Sequence, residues 1–147
     1  MKISSEIRNN KPLYYGALVQ MIYATIEFGD SLCIPLIALG LLPNFYLILP
    51  LANAELSLLL ANEPFWFIPI FWFFTSFRIA SGYWILQNKA KGFWMALFIS
   101  GITLIAVFFL LPFSVIDIVG TGVVVFLLFM GYFKDEPIIT EDTTQSR

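Results

Sequence analysis

The sequence predicts an all-α fold: a polytopic helical membrane protein of four transmembrane helices, paired as two helical hairpins, with a short outer interfacial helix. Three observations carry this prediction. Of the 147 residues, 59% are apolar and 18% aromatic, and only 12% are charged. A soluble domain has roughly 45–50% apolar and about 25% charged residues, so this chain lacks the polar side chains to cover a water-facing surface. The apolar residues gather into runs of spanning length, and nearly all the basic residues lie between those runs.

Residues 1–12 carry Lys2, Arg8 and Lys11 and read as a cytoplasmic N-terminal segment. The first span is 13–42. Hydrocarbon offers the backbone no hydrogen-bonding partner, so a spanning segment forms a helix of about 20 residues that satisfies itself. Pro35 has no N–H to give the carbonyl of Ser31, which predicts a bend near Ser31. The run is too long for the apolar core of a cleaved signal peptide, and it contains Glu27 and Asp30.

The second span is 64–87, PFWFIPIFWFFTSFRIASGYWILQ, with Pro64 suited to a helix start. As one helix, 92–133 would measure about 63 Å, twice the hydrocarbon thickness. It is therefore read as two spans, 92–111 and 113–133, divided at Pro112. Between the first two spans, 43–63 is apolar but short and interrupted by Pro50, Asn53 and Glu55; it reads as the interfacial segment. The tail 134–147, KDEPIITEDTTQSR, is acidic and reads as cytoplasmic.

Orientation follows from charge. Lys2, Arg8 and Lys11 precede the first span, Lys89 and Lys91 join the second to the third, and Lys134 and Arg147 follow the last. With four spans all of these fall on one side, which predicts N-in and C-in topology. A fifth span would place Lys89 and Lys91 opposite the rest. Tyr14, Tyr15, Tyr83, Trp84, Trp94 and Tyr132 cluster near that same boundary, and Tyr46 and Trp66 near the other, as amphipathic rings do.

Much chemistry is excluded by residue type. The chain has no His, and Cys33 is its sole cysteine, so the usual ligands of zinc, copper, haem and iron–sulfur centres are missing, as is any Ser-His-Asp or Cys-His nucleophile. No cofactor is expected. A net charge of −2 argues against nucleic acid as a partner.

Ionisable residues inside the spans are costly unless paired, and each is a candidate for function. These are Glu27 and Asp30 in the first span, Arg78 in the second and Asp117 in the fourth. Gln20, Tyr23, Glu27 and Asp30 follow helical spacings of three and four and share a face, as do Thr75, Arg78 and Ser81. These residues predict an intramembrane polar seam with a Glu27–Arg78 pair at its centre. Asp117 has a structural reading instead, because Ser114-Val-Ile-Asp117 has the spacing of a capping box at a helix start. Small residues, among them Gly16, Ala96, Ser100, Gly120 and Gly122, suit close helix contacts.

The layout, with the Gly- and Trp-containing turn SGYWILQNKAKGFW joining the middle spans, resembles small four-span membrane proteins of prokaryotes. That resemblance implies a prokaryotic cell membrane and transfers no activity. The sequence itself leaves three readings. The first is a small non-catalytic integral membrane protein, an accessory or scaffold subunit of a membrane complex or a homo-oligomer, for which the seam is helix–helix glue. The second is a small transporter or proton/cation pathway through Glu27, Asp30 and Arg78. An intramembrane enzyme using Glu27 and Asp30 as an acid pair is the third, with nothing further in its favour.

Overall fold

In a computed structural model, the structure describes residues 3–43, 62, 65, 67–109 and 115–134. Among these the fold is all-helical: α1 (Ser5–Asn9), α2 (Lys11–Ala38), α3 (Phe67–Leu86), α4 (Ala90–Phe109) and α5 (Val115–Tyr132). Helix α2 packs against α3 and α5, and α4 packs against the same two. The long helices thus form an antiparallel four-helix bundle in the cyclic order α2, α3, α4, α5. The interfacial segment expected at 43–63 and the tail expected at 134–147 fall almost wholly outside the described residues.

One end of the bundle is well defined. Pro12 opens α2, where its missing N–H is no loss, and the Asn10 side chain caps the helix by accepting from the Leu13 N–H at 3.3 Å. The Asn10 amide also donates to the Gly131 carbonyl at 2.9 Å, tying the start of α2 to the end of α5. Helix α1 tucks Ile7 beneath this end. It is held by the Ser4 N–H donating to the Leu86 carbonyl at 3.0 Å and by an Asn88–Glu6 hydrogen bond.

Helix ends obey local chemistry more than hydropathy. Helix α2 stops at Ala38 and not at Leu42, because Gly40 takes a left-handed φ of 71°. Its N–H then bonds the Ile37 carbonyl while the Leu41 N–H bonds that of Leu36. This Schellman closure satisfies carbonyls that a helix end leaves free. Asn88, with φ 61°, closes α3 the same way, its own N–H bonding Ile85 and that of Lys89 bonding Trp84. The closure turns the chain so tightly that a Cβ on Gly92 would lie 2.6 Å from the Ile85 nitrogen and 2.8 Å from the Ser81 carbonyl oxygen.

Large apolar side chains face outward along the long helices while several polar ones are buried beside an apolar core. Facing outward between the helix ends are Ile22, Ile26, Phe28, Leu32, Leu36, Phe73, Phe77, Ile79, Phe98, Ile105, Val119, Val123, Phe126 and Phe129. Exposed Thr25 returns its hydroxyl to the Met21 carbonyl at 2.9 Å. Meanwhile Gln20, Ser31, Thr75, Arg78, Ser81, Ser100 and Thr121 are buried. Among the described residues α2 is the helix long and apolar enough to cross a membrane; Ala90–Ala106 and Asp117–Tyr132 are shorter apolar helices. In α3 the apolar run is broken by Arg78, Thr75, Ser76 and Ser81.

Among the described residues, the basic ones other than Arg78 sit together. Arg8, Lys11, Lys91 and Lys134 are exposed and Lys89 half-buried at the end formed by α1, the α3–α4 turn and the close of α5. Trp84 lies under the Lys91 ammonium at 4.8 Å, and Phe93 stacks on Tyr132 at 4.7 Å beside Trp94.

Candidate functional site

The site is built on the inward faces of all four long helices. Arg78, 1% exposed, stands at its centre with Nε 3.4 Å from Glu27 Oε2. Its Nη2 donates to Thr103 Oγ1 at 2.7 Å, and its guanidinium carbon lies 4.5 Å from the centroid of the Tyr23 ring. The Tyr23 hydroxyl in turn donates to Asp117 on α5. Gly120 on α5 also borders the Tyr23 ring: a Cβ there would stand 3.4 Å from the ring edge. One guanidinium therefore links α2, α3 and α4 directly, and α5 through Tyr23.

Two flanking contacts lengthen the α2–α3 seam. Gln20 Nε2 donates to Ser81 Oγ at 3.2 Å, and Trp72 Nε1 donates to Ser31 Oγ at 3.1 Å. A shared device fixes the hydroxyls. Ser31, Ser81 and Thr103 each donate to a carbonyl of their own helix, at 2.7, 2.8 and 2.9 Å, and so present only lone pairs to the neighbouring helix. Each meets a donor there: Trp72, Gln20 or Arg78. Because Ser81 has spent its proton on Arg78 O, it must accept from the Gln20 amide nitrogen, which orients the Gln20 carbonyl oxygen away from it.

Of the residues expected in the seam, Gln20, Tyr23, Glu27, Thr75, Arg78 and Ser81 all face the bundle interior, and the structure brings Glu27 to Arg78 and Gln20 to Ser81. The side chain of Asp30 and all of Ser114 lie outside the described residues, so the capping box is not described. Asp117 does occupy the first turn of α5, where a helix favours negative charge. Sequence reasoning did not reach Thr103, Thr121 or Ser31, and it took Ser100 only as a small residue. Their signal was present in the spacing: Ser100 and Thr103 are three apart, and Asp117 and Thr121 four apart. Gly122 has open space around it and makes no close helix contact.

Another feature of the site is a change of chemistry with depth. Toward the basic end the interior is apolar: Leu13 and Ala17, Ile85 and Leu86, Phe93 and Ala96, Val124 and Leu128, all at most 1% exposed. One turn deeper every helix presents a polar residue: Gln20, Ser81, Ser100 and Thr121. Charge networks of this kind position groups for binding or proton transfer, or fix helix register. Among the described residues no cluster of His, Cys, Asp and Glu is arranged to hold a metal.

No family model, curated protein or solved structure matches this chain.

Proposed function

We propose that this chain is a small, non-catalytic integral membrane protein of four spans, with its basic end in the cytoplasm, that serves as an accessory or scaffold subunit of a membrane complex or assembles with itself. Its partners are then the lipid bilayer and other membrane subunits, including copies of itself, in a prokaryotic cell membrane. The observation that carries the reading is the outer surface of the bundle, where Phe, Ile, Leu and Val side chains are exposed along the long helices while Arg78 and several hydroxyl and amide side chains are buried. An outward Phe, Ile or Leu disfavours water by roughly 1.5–3 kcal/mol, and lipid removes that penalty. Gathering Arg8, Lys11, Lys89, Lys91 and Lys134 at one end supports N-in and C-in topology.

The buried network supports a structural role for the seam. Arg78, Glu27, Tyr23, Thr103 and Asp117 engage one another across four helices, which fixes helix partners and register. A pathway across the membrane needs polar groups from end to end, whereas Leu13, Ala17, Phe93, Ala96, Val124 and Leu128 close the basic end with apolar packing.

Two measurements test this. In a Cys33→Ser background, single cysteines at positions 5 and 90 should react from the basic, cytoplasmic side, and one at position 62 from outside. Reaction of position 90 from outside ends the four-span topology. The purified protein in liposomes should pass no protons or cations above empty vesicles, and its native mass in mild detergent should exceed that of a monomer. The competing reading, a small transporter or proton/cation pathway through Glu27, Asp30 and Arg78, is favoured by the polar half of the interior. Flux that vanishes in a folded Glu27→Gln variant would establish it.

A further inference from the structure

The basic end of the bundle carries a shelf of exposed aromatic rings as well as charge. Trp94, near the start of α4, meets Tyr132 at the close of α5 with ring centroids 6.2 Å apart, and Phe133 adjoins Tyr132 at 5.3 Å. Phe93, 1% exposed, stacks on Tyr132 at 4.7 Å and holds it from within. Trp94, Tyr132 and Phe133 are themselves 59%, 40% and 74% exposed. An exposed lysine stands beside each edge of this shelf in the chain: Lys91, three residues before Trp94, and Lys134, directly after Phe133. The Lys91 ammonium lies 4.8 Å from the centroid of the Trp84 ring, a contact that takes up one side of a group with three N–H donors. Among the described residues, the cations of this end (Arg8, Lys11, Lys89, Lys91 and Lys134) are accompanied by one carboxylate, Glu6, which Asn88 already engages.

We propose that this shelf is a docking site for an anionic glycerophospholipid, whose phosphate is held by Lys91 and Lys134 while its glycerol and upper acyl chains lie against Trp94, Tyr132 and Phe133. The inference rests on the membrane reading above and deepens it by naming the lipid class. The order of chemistry along the surface selects the ligand. Beyond the lysines come the amphipathic rings, and beyond the rings the apolar surface continues, through exposed Phe98 on α4 and through exposed Phe129 on α5, which stacks on Phe133 at 6.1 Å. A phospholipid presents the same sequence of charge, interface and hydrocarbon. Net charge sets the class, because a zwitterionic headgroup brings its own ammonium to the lysines, whereas an anionic one brings phosphate charge alone.

Competition between two lipids, read by native mass spectrometry, tests the site. The intact chain in neutral detergent is offered equimolar phosphatidylglycerol and phosphatidylcholine with identical acyl chains. The first lipid bound should be phosphatidylglycerol by at least about fivefold, and Lys91→Gln with Lys134→Gln should cut that preference at least about threefold. Lys91→Arg with Lys134→Arg should retain it. Arg8→Gln with Lys11→Gln removes the same charge from elsewhere on this end and should leave the preference within about twofold of the original. Equal losses in the two Gln pairs would mean that the whole end attracts anions with no site at the shelf, and would overturn the proposal, as would equal binding of the two lipids by the unaltered protein. A preference that emerges only after Asp135→Asn with Glu136→Gln would mean that the acids following Lys134 hold the lysines, and would overturn it too. Failure of the membrane reading looks different: the protein would then stay monodisperse in water without detergent.

Discussion

Glu27 and Arg78 give the sharpest prediction, because removing either one strands the charge of the other. Glu27→Gln leaves a guanidinium that is 1% exposed and cannot give up its proton, so the cost of breaking a buried pair, about 3–5 kcal/mol, is met in full. Arg78→Gln leaves the Glu27 carboxyl without its cation and should also cost on the order of 3–5 kcal/mol. The double variant strands no charge. It gives up the Arg78 bond to Thr103 and the contact with the Tyr23 ring, together about 2 kcal/mol, while Thr103 keeps its own bond to the Ile99 carbonyl. The double variant should accordingly be more stable than Glu27→Gln alone, with a coupling of at least about 2 kcal/mol. Reversible unfolding in mixed detergent micelles measures all three variants. Additive losses would show that the carboxylate and the guanidinium do not depend on each other.

Gly92→Ala should destabilise the protein by about 1–3 kcal/mol, because its Cβ meets backbone atoms of Ile85 and Ser81 that cannot rotate away; the same scan should show Gly101→Ala and Gly122→Ala, which meet nothing within 4 Å, gaining up to about 1 kcal/mol from helix propensity. Tyr23→Phe keeps the ring beside Arg78 but removes the donor to Asp117, and thermal unfolding should register a loss of about 1–3 kcal/mol that Asp117→Asn in the same background does not increase. Asn10→Ala should cost about 1–2 kcal/mol and quicken amide exchange at Leu13, since one side chain both caps α2 and holds the Gly131 carbonyl.

The helices were legible because apolar runs of this length have few other uses. Their ends were less so. Hydropathy carried the first span on to Leu42, since Leu41 and Leu42 are as apolar as what precedes them, but the backbone turns at Gly40, where positive φ costs least. Asn88 plays the same part after α3, within a segment that charge alone had marked as a connection. In both places the deciding signal was a single residue at the C′ position, which a measure averaged over many residues dilutes.

The polar site was legible exactly as far as one helix face reveals it. Spacings of three and four put Gln20, Tyr23 and Glu27 together on α2, and Thr75, Arg78 and Ser81 together on α3, and the bulk of opposite charge in a low-dielectric setting joined the two faces. What lay beyond was tertiary. That Tyr23 reaches Asp117 depends on α5 lying beside α2, and that Arg78 finds Thr103 depends on α4 lying beside α3; no periodicity within a single helix contains either fact. The level at which the interior turns polar is intermediate between these cases. Each helix shows its own step, from Ala17 to Gln20, Ile85 to Ser81, Ala96 to Ser100 and Val124 to Thr121, and each step alone is an ordinary substitution of a polar residue for an apolar one. The antiparallel register of the bundle brings these faces together in its interior, where Gln20 meets Ser81 and Arg78 meets Thr103. A single helix shifted by one turn would place a polar side chain among Leu13, Ala17 and Phe93, or a Leu or Val among the groups around Arg78. The seam that fixes register and the polar interior that register assembles are thus one arrangement, so a variant that loosens Gln20 from Ser81 should also weaken the Arg78 contact with Thr103 on α4.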